Sequence, residues 1–242
     1  MDLAELARAL PDVPRWVETR SMLFAGRGEV YGAGSAGSFA VLDREDGLVS
    51  VVGRAVDEMI RAAVSNRGVH SVIAAMEDRN YVAGALPGWE SVRAVLHLPG
   101  GEGLRLPSAP EGSVRFLEVA EVGSLEGLTA DLREELEVAV RRSPVAAAIS
   151  DGHPVSFCYA AARTEGLWDI SIDTLEGFRR LGLAARCVAY MAGTMEREGL
   201  RPVWGAEETN AASLGLAKKL GFEPVDEVAV FHASRRTETG TG

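Results

Sequence analysis

The stretch Leu167-Trp-Asp-Ile-Ser-Ile-Asp-Thr-Leu-Glu-Gly-Phe-Arg-Arg-Leu-Gly-Leu-Ala-Ala185 decides how this chain is read. In its first eight residues, Trp168, Ile170 and Ile172 alternate with Asp169, Ser171 and Asp173. A period of two predicts a strand with its apolar set on the core and its polar set towards solvent or a cleft. From Gly182 the period changes. Leu183, Cys187, Met191 and Met195 form one stripe, which predicts a core-facing helix. Between the two elements, Gly182 and Ala184 are small enough for a ligand to approach the backbone. The first amides of a helix have no intrahelical acceptor, and its dipole makes that end positive. Such an end holds phosphate, and Arg179 and Arg180 add cations there on an otherwise acidic chain. A diphosphate-bearing cofactor fits this pattern; so does a plain tight turn with two exposed arginines.

Downstream, Pro202–Gly205 reads as a short strand, Asn210–Leu220 as a helix and Phe222–Phe231 as a last strand. Upstream, Val114–Val119 reads as a strand and Thr129–Val140 as a helix. Pro144–Ser150 and Val155–Ala162 flank the turn pair Asp151–Gly152. The run Pro99–Gly112 is rich in Pro and Gly and is taken as a connection between domains. Before it, Ser38–Leu42 and Leu48–Val52 form a hairpin around Asp46–Gly47. A helix over Ala55–Ser65, a strand over Val69–Ala75, a short helix and a strand over Glu90–Leu98 follow. The expected fold class is α/β, with an α+β mixed sheet and helices on both faces. The division is 1–106 for a smaller α/β domain, 107–233 for a second domain and 234–242 for a disordered tail.

Composition sets outer limits. The chain has 242 residues, 47% of them hydrophobic, enough to bury a large core. With 25 basic and 35 acidic residues the formal charge is -10. That disfavours a nucleic-acid partner, which needs a basic stripe, and favours approach of cationic small molecules. Two cysteines, Cys158 and Cys187, lie in apolar segments and read as core residues, so no metal is expected. No basic leader opens the sequence and no run approaches the ~18 apolar residues of a membrane span. The expectation is a soluble, cytoplasmic protein without a membrane partner.

Arg179-x-x-Gly182-x-Ala184 between a strand and a long helix resembles the pyrophosphate loop of GNAT acyltransferases. About 25 residues later, Asn210-Ala-Ala-Ser213 and then Leu220-Gly-Phe222 are similar to that family's segment leading into its last strand. The resemblance spans Val114 to Phe231. Together with Leu86-Pro-Gly-Trp89 and Trp204-Gly-Ala-Glu-Glu-Thr-Asn210, it points to a bacterial subgroup with an extra N-terminal α/β domain. That domain would cover the acceptor side of the cleft.

The resemblance implies acetyl-CoA as co-substrate, lying in a V-shaped opening between two strands. Ile170, Ser171, Ile172, Asp173 and Thr174 would pair with the pantetheine amides. Leu181, Gly182, Leu183, Ala184 and Ala185 would offer amides to the pyrophosphate, with Arg179 and Arg180 assisting. Asn210 and Ser213 would contact the pantetheine arm, although Asn210 equally suits a helix N-cap.

Acyl transfer to an amine needs a base, an oxyanion donor and protonation of the leaving thiolate. Asp169 and Asp173 on the polar face are the candidate bases, ahead of Glu207 and Glu208. A backbone N–H near Ile172 is the candidate donor. Ala217 occupies the position where many relatives have a thiolate-protonating tyrosine, and nothing in the sequence brings Tyr159 or Tyr190 to the sulfur. Trp89 and Trp168 read as packing. The function expected is direct acetyl transfer to a primary amine of a small molecule, which leaves a homodimer open. The rivals are a non-catalytic acyl-CoA-binding module and a protein lysine or N-terminal acetyltransferase.

Overall fold

A computed structural model describes residues 2–32 and 37–233. The expected tail, 234–242, lies outside the described residues. Two helices lead, α1 (Leu3–Ala9) and α2 (Val17–Phe24). Then come β1 (Gly28–Tyr31), β2 (Phe39–Asp43), β3 (Leu48–Val52), α3 (Asp57–Val64), β4 (Ser71–Ala75), α4 (Arg79–Ala85) and β5 (Trp89–Pro99). The second half runs β6 (Val114–Phe116), α5 (Val119–Val122), α6 (Ala130–Arg142), β7 (Val145–Ser150), β8 (His153–Arg163) and β9 (Leu167–Thr174). It ends with α7 (Leu183–Arg197), β10 (Arg201–Glu207), α8 (Ala211–Lys219) and β11 (Phe222–Ala233).

Eleven strands form one mixed sheet in the order β1-β2-β3-β4-β11-β5-β10-β9-β8-β7-β6. The pairs β3–β4 and β9–β10 are parallel and the rest antiparallel. Helices cover both faces, as the alternating strands require. On one face α7 packs Cys187, Val188, Met191 and Met195 on Trp168, Ile170 and Cys158. On the other, Leu136 and Ala139 of α6 meet Phe157 and Tyr159 of β8.

The sheet does not pause near residue 106. The last strand, β11, enters the N-terminal half and lies between β4 and β5. The irregular stretch after β5 is tied back to the second half, where Arg105 N–H donates to Leu220 O at 2.8 Å and Gly100 N–H to Gly221 O at 2.9 Å. The strand expected over Val114–Val119 is shorter. Glu118 and Glu121 form a reciprocal capping box that starts α5 at Val119 instead.

Among the elements not expected from the sequence are α2 and β1. The helix α2 spans the seam. Its Met22 and Leu23 pack under β2 and β3, while its Val17 packs with Ala162, Leu167 and Val203 of β8, β9 and β10. Thr19 Oγ1 lies 2.6 Å from Ser50 Oγ on β3, and Ser21 Oγ accepts from Arg163 N–H at 3.1 Å.

Candidate active site

Strands β9 and β10 pair at only three positions, Leu167 with Arg201, Trp168 with Pro202 and Asp169 with Val203. Beyond Asp169 they part. β9 stays on β8 through Thr174, and β10 stays on β5 through Glu207. The edge of Ile170–Thr174 that faces β10 therefore has no strand partner. The direction of its backbone groups follows from one bond: Leu175 N–H donates to Val155 O at 2.9 Å, on the β8 side. Backbone groups alternate in direction along a strand. Ser171 and Asp173 thus direct theirs to β8, whereas Ile170, Ile172 and Thr174 direct theirs into the opening. The expected donor, Ile172 N–H, is among them.

At the wide end of the opening the chain turns into α7. Gly182 is the N-cap residue at φ +79°, in the left-handed region that glycine enters freely, and no side chain caps the helix. A Cβ on Gly182 would meet nothing within 4 Å, so the space above it is open. Arg180 also has positive φ, at +66°. Among the described residues, none accepts from the amides of residues 180–185, and the first acceptor bond of the helix is Arg186 N–H to Gly182 O at 3.3 Å. The guanidinium of Arg179 folds back, donating from Nε to Thr174 O at 3.2 Å, and Arg180 and Leu181 are exposed. A free amide array, a helix dipole and two exposed arginines together have the chemistry to hold an anion.

Asn210 caps α8, its Oδ1 accepting from Ser213 N–H at 3.1 Å. Ser213 Oγ accepts in turn from the indole Nε1 of buried Trp204 at 2.9 Å. The Ser213 side chain thus fastens α8 to β10. Ala217 is fully buried. Tyr190 is turned edge-on to Phe116, and the Tyr159 hydroxyl donates to Glu135. Trp168 is fully buried, and Trp89 packs on the core of the first half. Glu207 pairs with His232 and Glu208 with Arg93.

The polar face of β9 looks away from α7, towards α2 and α6. Here lies a cavity of about 790 Å³, bounded by Glu18, the β2–β3 turn, α6 and Tyr159–Ala161 of β8. Arg142 of α6 closes one side through ion pairs to Asp46, at 2.8 Å, and Glu45. Asp169 stands where the strands part, its Oδ1 3.9 Å from where a Cβ on Gly205 of β10 would be. The carboxyl of Glu18 meets that of Asp169 at hydrogen-bonding range. Water reaches both side chains, yet the packing around them removes much of their hydration. Burial pushes the Glu18 carboxyl up to about 7, with Asp46 and Asp43 adding to the rise and Asp169 and Arg27 opposing it. Burial and then the Glu18 charge hold Asp169 well above the usual carboxylate range. Asp173 is pushed up to about 6, by burial first and Glu135 second, against the pull of Arg179.

Part of the chain matches known proteins. Residues 146–231 match the family model described as GNAT acetyltransferase. They include β9, the loop, α7, β10 and α8. This segment is a GNAT acetyltransferase segment. A curated relative, the uncharacterised N-acetyltransferase YdfB of Bacillus subtilis (strain 168), is 37% identical over 89 residues. That stretch is 36% of this chain and 33% of the relative.

Solved structures extend the likeness in fold beyond the GNAT segment. A GCN5-related N-acetyltransferase-like protein from Streptococcus suis superimposes with a TM-score of 0.72 at 19% identity, covering 96% of this chain and 98% of that one. A putative GNAT-family acetyltransferase from Novosphingobium aromaticivorans gives 0.60 at 16%, covering 91% and 96%. A tandem GNAT protein from the clavulanic acid biosynthesis pathway gives 0.57 at 14%, covering 95% and 92%.

Within this GNAT fold the structure brings Ile170–Thr174 and residues 179–185 to one opening, and sets Asn210 and Ser213 at the head of the next helix. Asp169 and Asp173 share the face opposite α7. Sequence reasoning missed Glu18. Its helix carries no apolar stripe, because Thr19, Arg20 and Ser21 are among its buried residues. Among the described residues, no group of three or more His, Cys, Asp or Glu side chains could hold a metal ion. No helix there is long and apolar enough to cross a membrane.

Proposed function

We propose that this protein is an N-acetyltransferase that moves the acetyl group of acetyl-CoA directly to a primary amine of a small molecule. The observation that carries the reading is the parting of β9 and β10 after Asp169, opposite an uncapped α7 N-terminus. In this reading the pantetheine amides add to the free edge of β9 as a strand would, and the pyrophosphate takes the amides of Leu181–Ala185. Arg179 and Arg180 neutralise its charge, and Asn210 and Ser213 bound the pantetheine arm. Ile172 N–H polarises the thioester carbonyl as charge develops on its oxygen. Holding thioester and amine together removes the entropic cost of their encounter.

The acceptor enters from the cavity on the opposite face, which residues 1–106 cover in large part with α2 and the β2–β3 turn. Carboxylates outnumber cations along its walls, in keeping with a cationic amine. A small molecule fits a pocket of this size better than a protein chain does.

The test is a thermal-shift titration with acetyl-CoA. The wild type gains stability, as any ligand that binds only the folded state must confer. Gly182→Glu sets bulk and negative charge where the diphosphate lies and loses that gain. An undiminished shift in the variant would refute the loop assignment. Thiol release across a panel of primary amines then separates an enzyme from a module that only binds acyl-CoA.

A further inference from the structure

Asp169 ends the paired part of β9, at the narrow end of the opening in which the thioester would lie. Of the Asp169 and Glu18 carboxyls, the one that lines the cavity is that of Glu18. Helix α2 fixes it from both sides. Thr19 bonds to Ser50, Ser21 accepts from Arg163 N–H, and Val17 is buried against Ala162, Leu167 and Val203. Glu18 therefore reaches from the acceptor cavity to the point where the strands part.

We propose that Glu18, supplied by the N-terminal half, is the proton acceptor of the transfer and acts as one unit with Asp169 across the seam. This rests on the acetyltransferase reading above and adds to it a catalytic residue outside residues 146–231. The acceptor arrives as an ammonium ion, and the pair receives its first proton, freeing the nitrogen lone pair. Nitrogen then forms a bond to the thioester carbon and the C–S bond breaks. The second nitrogen proton goes to the departing thiolate, giving the amide and CoA thiol. The pair releases the first proton to solvent and is ready again. Nothing is oxidised or reduced.

Two carboxyls in contact cannot both ionise easily, so the unit holds one proton near neutrality. A base that gains and loses a proton in this range matches its task at ordinary pH. The groups that set its affinity are Asp169 from β9, Asp43 and Asp46 from the β2–β3 hairpin, and Arg27 before β1. Tyr159 of β8, His70 before β4, and Glu135 and Arg142 of α6 share the cavity wall.

The experiment follows thiol release from acetyl-CoA with putrescine, benzylamine, ethanolamine and a lysine peptide, in the full chain, across pH. The same proteins are titrated with acetyl-CoA by thermal shift. Glu18→Gln keeps the acetyl-CoA shift and loses about 100-fold or more in kcat/KM, within the usual range for a general base. The rise of kcat/KM near neutral pH expected for the wild type disappears with it, and Glu18→Asp restores part of both. Asp169→Ala removes the hydrogen bond that favours the ionised Glu18 carboxyl, so the rising limb moves to higher pH. A Glu18→Gln enzyme with the wild-type rate and pH profile overturns the inference while leaving the acetyltransferase reading intact. A wild type that shows no acetyl-CoA shift overturns that reading and this inference together. A wild type that binds acetyl-CoA but acetylates none of the amines overturns the inference and favours the binding module.

Discussion

At the scale of single residues, Glu18 is the position where activity and stability pull apart. Its folded-state affinity for a proton, near 7, lies above the ordinary glutamate value of 4.5. A raised carboxyl contributes stability that is fully present below its unfolded value and is lost as pH rises through its folded value. The protein should therefore lose stability between about pH 4.5 and 7 on account of this residue, as its carboxyl takes on charge where burial strips its hydration and Asp46 and Asp43 stand near. Replacing Glu18 with Gln removes that charge. The variant is expected to melt higher than the wild type at pH 8, with the advantage shrinking as the pH falls towards 4.5. Melting curves of both proteins over this range are the check. A variant less stable than the wild type at pH 8 would show that the carboxylate is already well compensated there. A catalytic carboxyl that costs stability is the pattern expected of functional groups held partly out of water.

At the scale of elements, the legible parts of the chain were those whose burial follows a period. Strand β9 was read to its end residues because Trp168, Ile170 and Ile172 face α7 while Asp169, Ser171 and Asp173 face the other way. The start of α7 and the cap of α8 were readable because Gly182 and Asn210 have local reasons to be there. Helix α2 was not readable. It buries Thr19, Arg20 and Ser21, whose bonding partners come from α1, β3 and β8, so no local pattern announces it. Arg20 shows how such an element is held. It is 4% exposed, and its Nη1 donates to Ala7 O at 2.7 Å and to Leu10 O, while its Nη2 meets Glu165 at 2.6 Å. Arg20→Met leaves two carbonyls and a carboxylate without their donor. The expected loss is about 3 kcal/mol, the scale of charge-assisted bonds to buried acceptors, measured by urea denaturation. A loss below about 0.5 kcal/mol, the range of an ordinary surface change, would mean that α2 is held by its apolar contacts alone. Because α2 also carries Glu18, the same variant should weaken turnover more than acetyl-CoA binding.

At the scale of the whole molecule, the question is whether residues 1–106 and 107–233 are separable units. Pattern and punctuation suggest so: Pro99–Gly112 has the composition of a connection, and the GNAT motifs all lie beyond it. Strand partners are chosen over long distances, however, and no local signal reports that β11 inserts between β4 and β5. Phe231, fully buried with Ala229 among the apolar residues of the first half, would stand in water in a fragment that begins at 107. Such a fragment also leaves the inner edge of β10 without β5, an open edge prone to association. Burying a phenylalanine contributes roughly 1.5–3 kcal/mol, a large part of what a domain has to spare. The full chain is accordingly expected to unfold in one transition, coincident by tryptophan fluorescence and far-UV circular dichroism. The 107–233 fragment is expected to be unfolded or aggregated. Two resolved transitions in the full chain, or a fragment with dispersed amide resonances, would establish the second half as an independent domain. In that event Glu18 could be withdrawn from the opening by hinging at the connection. With a single transition, the shared sheet holds it against Asp169 for as long as the protein is folded.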